Sequence, residues 1–267
     1  AHSHDFLMFV TNHGRLHWLK GYRVPEGSRQ SKGKPIVNLL SDLEEGEKVQ
    51  DTIFVQEFPE DKYLVFCTRN GTVKKTALSL YSNVRQKGIK AVKLEEGDEL
   101  IEVHIAQKGD QIIMATAGGQ ACRFNEEEVR PMGRDTTGVK GMTLSEGDTI
   151  VSMAVVRQGD KLLTVTENGY GKISEVDDYR LTHRGGKGVI TIKTDERNGN
   201  VVCVRKVCTT DQLMVTSKEG KIIRMSVSEI RETGRNAKGV RVMDLRDEDA
   251  VSAVQPIISD DEAPGEQ

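Results

Sequence analysis

At intervals of about 50 residues along the chain a small hydroxyl residue is followed three positions later by glycine, in five copies. The copies are TNHG ending at Gly14, TRNG at Gly71, TAGG at Gly119, TENG at Gly169 and SKEG at Gly220, spaced by 57, 48, 50 and 51 residues. A period of this length marks a repeat architecture, in which one unit cannot bury its own apolar faces and must stack against its neighbours. An apolar run precedes each copy (FLMFV, YLVFC, QIIMA, KLLTV, QLMV), and a second strand-like run such as RLHWL, TVKKT or KIIRM follows it.

A second glycine recurs at Gly33, Gly88, Gly138, Gly188 and Gly239, 17 to 19 residues after the first. Behind it come a third strand-like run (KPIVNL, IKAVKL, VKGMTL, VITIKT, VRVMDL), an acidic turn and a fourth apolar run. Each repeat therefore reads strand, glycine turn, strand, basic loop, strand, acidic turn, strand. Asn70-Gly71 and Asn168-Gly169 supply the positive φ angles expected of two-residue hairpins. The first strand is apolar throughout, as a strand covered on both faces should be, and later strands alternate. Four strands per repeat is the grammar of a propeller blade. The second glycine is expected where the backbone turns tightly or approaches something closely. Composition agrees: of 267 residues 36% are apolar and 30% charged, with 26 glycines and only six prolines, a balance that favours tight turns over helices.

Net charge is −3, which taken alone argues against a nucleic-acid partner. Its distribution argues the other way. The five basic-loop windows, 29–34, 84–93, 130–140, 180–193 and 231–241, hold 18 Lys or Arg against two acids, Asp135 and Glu232. They carry +16 and leave −19 for the rest of the chain. Cations repeated in one register suit a polyanion that bends along the protein, with counterion release and steep salt dependence. Stacking aromatics are missing from these loops, which disfavours single strands, and no helix offers itself to a major groove. Backbone contact with duplex DNA remains, where DNA stiffness sets the cost of bending. A charged loop is ordinarily just solvated, and a propeller serving as a protein-interaction platform is the competing class.

Candidate phosphate contacts are Arg29, Lys32, Lys34, Arg85, Lys87, Lys90, Arg134, Lys140, Arg184, Lys187, Arg235, Lys238 and Arg241, with strand-borne Lys74, Lys75 and Lys172 as a second tier. In THRGGKG, His183 can meet a phosphate when protonated, and Gly185, Gly186 and Gly188 shape the backbone. The GGKG string is not a P-loop, which needs G-x-x-x-x-G-K-[ST] opening a helix, whereas a strand follows here. The six histidines show no zinc spacing beyond HSH near the start. Cys67, Cys122, Cys203 and Cys208 sit in or beside apolar stretches without C-x-x-C and read as reduced core thiols. Trp18 is expected to pack rather than to stack on DNA. No apolar run approaches a membrane span. Residues 1–258 are expected to form the β domain, with repeats at about 5–57, 62–106, 110–157, 160–207 and 211–258, and residues 259–267 an acidic disordered tail.

The strings GKPIVNLL, NGTVKKT, TTGVKGMTLSEGD, TENGYGK and KGVITIKTDERNG together resemble the C-terminal domain family of the DNA gyrase A subunit over essentially the whole chain. That resemblance implies an all-β pinwheel, a propeller-like ring of four-stranded blades that exchange strands, with five repeats visible here and six expected in the family. It implies wrapping of duplex DNA on a basic rim, in support of ATP-dependent negative supercoiling by a cytoplasmic type IIA topoisomerase. The implied partners are DNA, the rest of gyrase A and gyrase B, with no membrane. No cofactor is implied in this domain, since ATP and Mg belong elsewhere in the holoenzyme. No catalytic residue is implied here either, so none of Tyr22, Tyr63, Tyr81, Tyr170 or Tyr179 takes the cleavage role. The family's first-blade QRRGGKG box has its nearest match in Thr182–Gly188, with Thr for Gln and His183 for the first Arg, and in the fourth repeat. Either the first blade and its box lie outside this chain, or the protein has five blades and uses Thr182–Gly188. The related domain of topoisomerase IV is the nearer alternative.

Overall fold

A computed structural model describes residues 4–28, 32–40, 42–83 and 87–257. Arg29, Arg85 and the acidic tail lie outside the described residues. Repeat one supplies β1 (Phe6–Thr11), β2 (Arg15–Lys20) and β3 (Val49–Val55); repeat two, β4 (Lys62–Thr68), β5 (Thr72–Ala77), β6 (Ile89–Lys90) and β7 (Leu100–Gln107). Repeat three supplies β8 (Gln111–Thr116), β9 (Gln120–Asn125), β10 (Val139–Lys140) and β11 (Ile150–Val156); repeat four, β12 (Lys161–Thr166), β13 (Tyr170–Glu175), β14 (Val189–Ile190) and β15 (Val201–Val207). Repeat five supplies β16 (Gln212–Ser217), β17 (Ile222–Ser226), β18 (Val240–Arg241) and β19 (Val251–Ile257). Among the described residues the only helical pieces are short 3-10 turns.

The hydroxyl and the glycine of each T-x-x-G do separate jobs. Thr11, Thr68, Thr116 and Ser217 accept the backbone N–H four residues on, at 3.2–3.3 Å, which closes the hairpin. In the fourth copy Thr166 instead donates to the Tyr170 carbonyl. The glycine takes φ of 75–93° in all five. Asn70 and Asn168 do not share it; among the described residues the only non-glycine positions with positive φ are Asp42 and Glu248. The turn is therefore a three-residue loop ending in a left-handed glycine, not the two-residue type expected from the Asn-Gly pairs. The acidic turns cap these hairpins. Asp98 accepts from the N–H of Asn70, Asp148 from Gly118 and Asp249 from Glu219, at 2.9–3.1 Å.

Each repeat keeps its first, second and fourth strands in one sheet and, from the second repeat on, lends its third to the repeat before. The sheets run β3-β1-β2-β6 and β10-β5-β4-β7, then β11-β8-β9-β14, β15-β12-β13-β18 and β17-β16-β19. This exchange is what makes the blades those of a pinwheel. The lent strand is only two residues long. Repeat one departs from expectation: Ile36–Asn38 form a 3-10 turn, not a strand.

The chain divides into two compact units, 1–108 with 129–140, and 109–128 with 141–267. The first holds the first two sheets, and its core includes Met8, Val10, Leu16, Leu64, Phe66, Leu78, Tyr81 and Val103. Trp18 packs in this core. The second holds the other three sheets around two clusters, one including Ile113, Leu162, Val176 and Val204, the other Leu163, Val165, Leu213, Val215 and Val254. β1, β4, β8 and β12 are buried along their last five residues, as an apolar strand covered on both faces must be. β16 differs: Met214 is 40% exposed. No disulfide forms among the described residues. Cys67, Cys122 and Cys203 are buried, whereas Cys208 is exposed and is not the core thiol expected.

Candidate nucleic-acid interface

The lent strand places the basic loop. Because β10 pairs with β5, β14 with β9 and β18 with β13, the loop ahead of each lent strand lies against the second strand of the preceding repeat. The second glycine makes that fit possible. A Cβ on Gly138 would stand 2.6 Å from the Val73 carbonyl oxygen, and one on Gly188 2.4 Å from that of Ala121. Both glycines also have positive φ, 111° and 80°. The close approach expected from sequence is thus an approach of backbone to backbone.

Exposed cations cluster on these loops. Lys32, Lys34, Lys87, Lys90, Lys140, His183, Lys187, Lys238 and Arg241 are exposed, and Arg134, Arg184 and Arg235 are half-buried. Several are already tethered to the protein. The Arg184 N–H and Nε donate to the Glu128 carboxylate and carbonyl at 3.0 and 3.1 Å, and His183 Nδ1 lies 3.4 Å from the same carboxylate. Arg235 donates to the carbonyls of Asp178 and Ile190 at 3.1 and 2.9 Å. Lys238 is paired with Asp195, whose carboxyl that hydrogen bond holds below the usual carboxylate range. Arg241 is bonded to Asp244 at 2.8 Å and to the Tyr170 hydroxyl at 2.9 Å. Exposed ion pairs of this kind are weak enough to be exchanged for a phosphate.

The second-tier lysines are a correction. Lys74 and Lys172 are fully buried, at 1% and 0% exposure, and Lys75 is buried with its ammonium 4.9 Å from the Tyr63 ring centroid. None presents its charge to a ligand. Lys74 Nζ donates to the carbonyls of Ala91 and Arg134 at 2.6 and 2.5 Å, and Lys172 Nζ to that of Gly234 at 2.8 Å. Burial pushes both amines down to about 8, against the opposing pull of Asp135 on Lys74 and of Asp178 on Lys172.

The Gly-Gly pair of THRGGKG has a specific setting. Cys122 holds the strand position that Lys74 and Lys172 hold in their repeats: Met114 pairs with Cys122 as Phe66 does with Lys74 and Thr164 with Lys172. With no ammonium there, the loop itself descends. Gly185 N–H donates to the Gly141 carbonyl at 2.6 Å, the counterpart of the Ala91 carbonyl that Lys74 takes. Thr143 fastens both glycines, its hydroxyl donating to Gly185 and its N–H to Gly186. Cys122 Sγ lies 3.9 Å from the His183 carbonyl, and burial pushes the thiol up. Gly185 needs its φ of 83° for this descent. A pocket of about 210 Å³ remains beneath the loop, lined by Cys122, Thr182, Gly186, Lys187 and Arg180 among others.

Sequence reasoning missed Arg130, Arg180 and Arg231. All three are exposed and stand eight residues before Gly138, Gly188 and Gly239, a fixed offset that could have found them. It also missed Arg197, whose guanidinium lies 4.2 Å from the Tyr170 ring centroid while Arg241 lies 5.4 Å from it. His13, Glu44 and Glu47 come within 4.8 Å of one another as a metal site would, but Arg15 already donates to Glu47 at 2.9 Å and supplies the cation. No helix among the described residues is long and apolar enough to cross a membrane.

Comparison with known proteins points the same way. The sequence matches the family described as DNA gyrase C-terminal domain, beta-propeller, at residues 5–56, 62–107, 110–157, 160–207 and 211–258. It is 49% identical over 259 residues to the DNA gyrase A protein of Clostridium acetobutylicum and 46% identical over 263 residues to that of Staphylococcus aureus. In each case 97% of this chain aligns, with 31% and 30% of the relative, so the chain spans about a third of those proteins. Among solved structures, a DNA gyrase A C-terminal domain superposes with a TM-score of 0.85 at 29% identity, covering 97% of this chain and 84% of that one. The C-terminal domain of a DNA topoisomerase IV gives 0.83 at 26% identity, covering 96% and 80%.

Proposed function

The chain belongs to the DNA gyrase C-terminal domain family, and on that premise we propose that its basic loops grip duplex DNA by the phosphates and bend or wrap it. In this reading it works as part of gyrase A, with gyrase B, in ATP-dependent negative supercoiling. The observation that carries the reading is the recurrence of exposed Lys and Arg on the loop ahead of each lent strand, while acidic residues take the hairpin-capping turns. Backbone geometry fixes that sorting, because the lent strand presents the loop and the acidic turn is spent on N–H groups of the hairpin.

Two measurements test it. Five loops contributing at least one phosphate contact each give a slope of log K against log salt of about −4.5 or steeper. Closing a nicked circle with the chain bound should shift the linking number in the positive sense. A salt-insensitive affinity, or no binding to duplex, refutes DNA gripping; no linking shift with binding intact refutes wrapping alone. The topoisomerase IV likeness keeps a second reading, binding without strong wrapping, and the linking shift separates the two. A protein-interaction platform would keep its affinity when the loop lysines and arginines are reversed in charge.

A further inference from the structure

The strand position shared by His17, Lys74, Cys122, Lys172 and Arg224 is the same register position in each repeat, and its occupants differ while the hairpin pairing does not. We propose that Lys74 and Lys172 are positioning residues for DNA: each ammonium holds the following basic loop by its backbone carbonyls and so fixes where Arg134 and Arg235 stand.

The geometry is direct. Lys74 ties Ala91 of its own repeat to Arg134 itself, through the carbonyl of the arginine that faces DNA. Lys172 takes the carbonyl of Gly234, one residue before Arg235. A buried ammonium without hydrogen bonds would be strongly unfavourable, so the loop and the lysine hold each other. The third repeat shows the arrangement without a lysine: Cys122 leaves the place open, and Gly185 and Gly186 fill it with backbone. The position thus selects the shape of the loop above it. The charged group facing the Lys74 amine is Asp135, with Arg134 contributing its carbonyl, and those facing Lys172 are Asp178 and Arg235. With both amines titrating near pH 8, a phosphate arriving above them favours the charged form, so DNA binding should draw protons in this window.

This inference rests on the DNA reading above. The test uses the 267-residue chain and a fluorescent duplex, with Lys74→Met and Lys172→Met, which keep the unbranched stem and remove the ammonium. Each variant should bind on the order of tenfold more weakly at pH 7, since a hydrogen bond to a charged group is worth about one such factor. Their thermal unfolding should be unchanged or raised, because a buried charge is gone; a merely structural role would lower both. Wild-type affinity should fall between about pH 7.5 and 9.5, and in the double variant that fall should vanish. Every other titrating group stays in the variants, so the difference isolates the lysines. If a variant does not fold, calorimetry of the wild type at pH 8.5 in two buffers of different ionisation enthalpy reads proton uptake directly. Undiminished affinity in the folded variants, a pH dependence that survives in the double variant, or absence of proton uptake overturns the inference. Failure of the wild type to bind duplex at all would instead overturn the function proposed above.

Discussion

Replacing three glycines one at a time separates the two reasons a glycine is needed in this fold. Gly133 has an ordinary φ and nothing within 4 Å of a built Cβ. Gly97 has φ of 75° and also nothing within 4 Å. Gly188 has φ of 80° and would set its Cβ 2.4 Å from the Ala121 oxygen, 2.7 Å from that carbonyl carbon and 2.9 Å from the Met142 methyl. Gly133→Ala should then be near neutral, within about 0.5 kcal/mol. Gly97→Ala meets only the left-handed penalty, about 1 kcal/mol, partly offset by a less flexible unfolded chain. Gly188→Ala meets that penalty and must push β14 off β9, because both clashing backbone atoms belong to the residue that pairs with Val189. Losing a two-residue ladder and repacking Met142, itself buried, costs about 3 kcal/mol or more on the scale of core overpacking. At about 2–4 °C per kcal/mol for a unit of this size, thermal unfolding should show no shift, a shift of roughly 2–4 °C and a shift of roughly 6–12 °C in that order. A Gly188→Ala protein no less stable than Gly97→Ala would mean that the loop is not seated against the preceding repeat.

Three further outcomes follow from the geometry. Lys74 and Lys172 have folded pKa values near 8, below the free value of 10.5. Between the two the unfolded chain binds more protons, so stability rises with pH across about 8 to 10.5 and the penalty is fully present below 8. Allowing for screening at the loop edge, each lysine should contribute roughly 1–2 kcal/mol to that rise, read as the difference between wild type and the methionine variants in urea titrations; a flat difference sinks it. Glu128→Gln removes the carboxylate that holds the Arg184 N–H and faces His183, and should tighten duplex binding a few-fold at low salt and hardly at high salt; equal affinity at low salt refutes that contact as a competitor. Asp148→Ala strips the acceptor from Gly118 and Thr149 and should cost about 1–2 kcal/mol, measured by denaturant unfolding, while leaving the salt slope of DNA binding unaltered.

Much of the blade was legible because its signals are local. A threonine hydroxyl reaching four residues ahead and a glycine at positive φ are decided within one turn, so T-x-x-G announced every hairpin. The lent strands were not legible. VITI and VKGM look like strands, yet only two residues of each pair, and with the previous repeat rather than their own, which no short-range pattern encodes. The misread lysines have the same origin. TVKKT has two adjacent lysines, and alternation should send one of them outward. Both are buried because β5 is covered on both faces, and the carbonyl that makes burial of Lys74 tolerable lies 60 residues away, on Arg134. A charge count cannot tell such a lysine from one in solvent. The distinction appears only when the acceptor is in place, and that acceptor belongs to the basic loop of the following repeat. Charge read from sequence therefore overstates the cations exposed at these loops, because a lysine buried beneath a loop is counted together with the half-buried arginine whose segment it ties down.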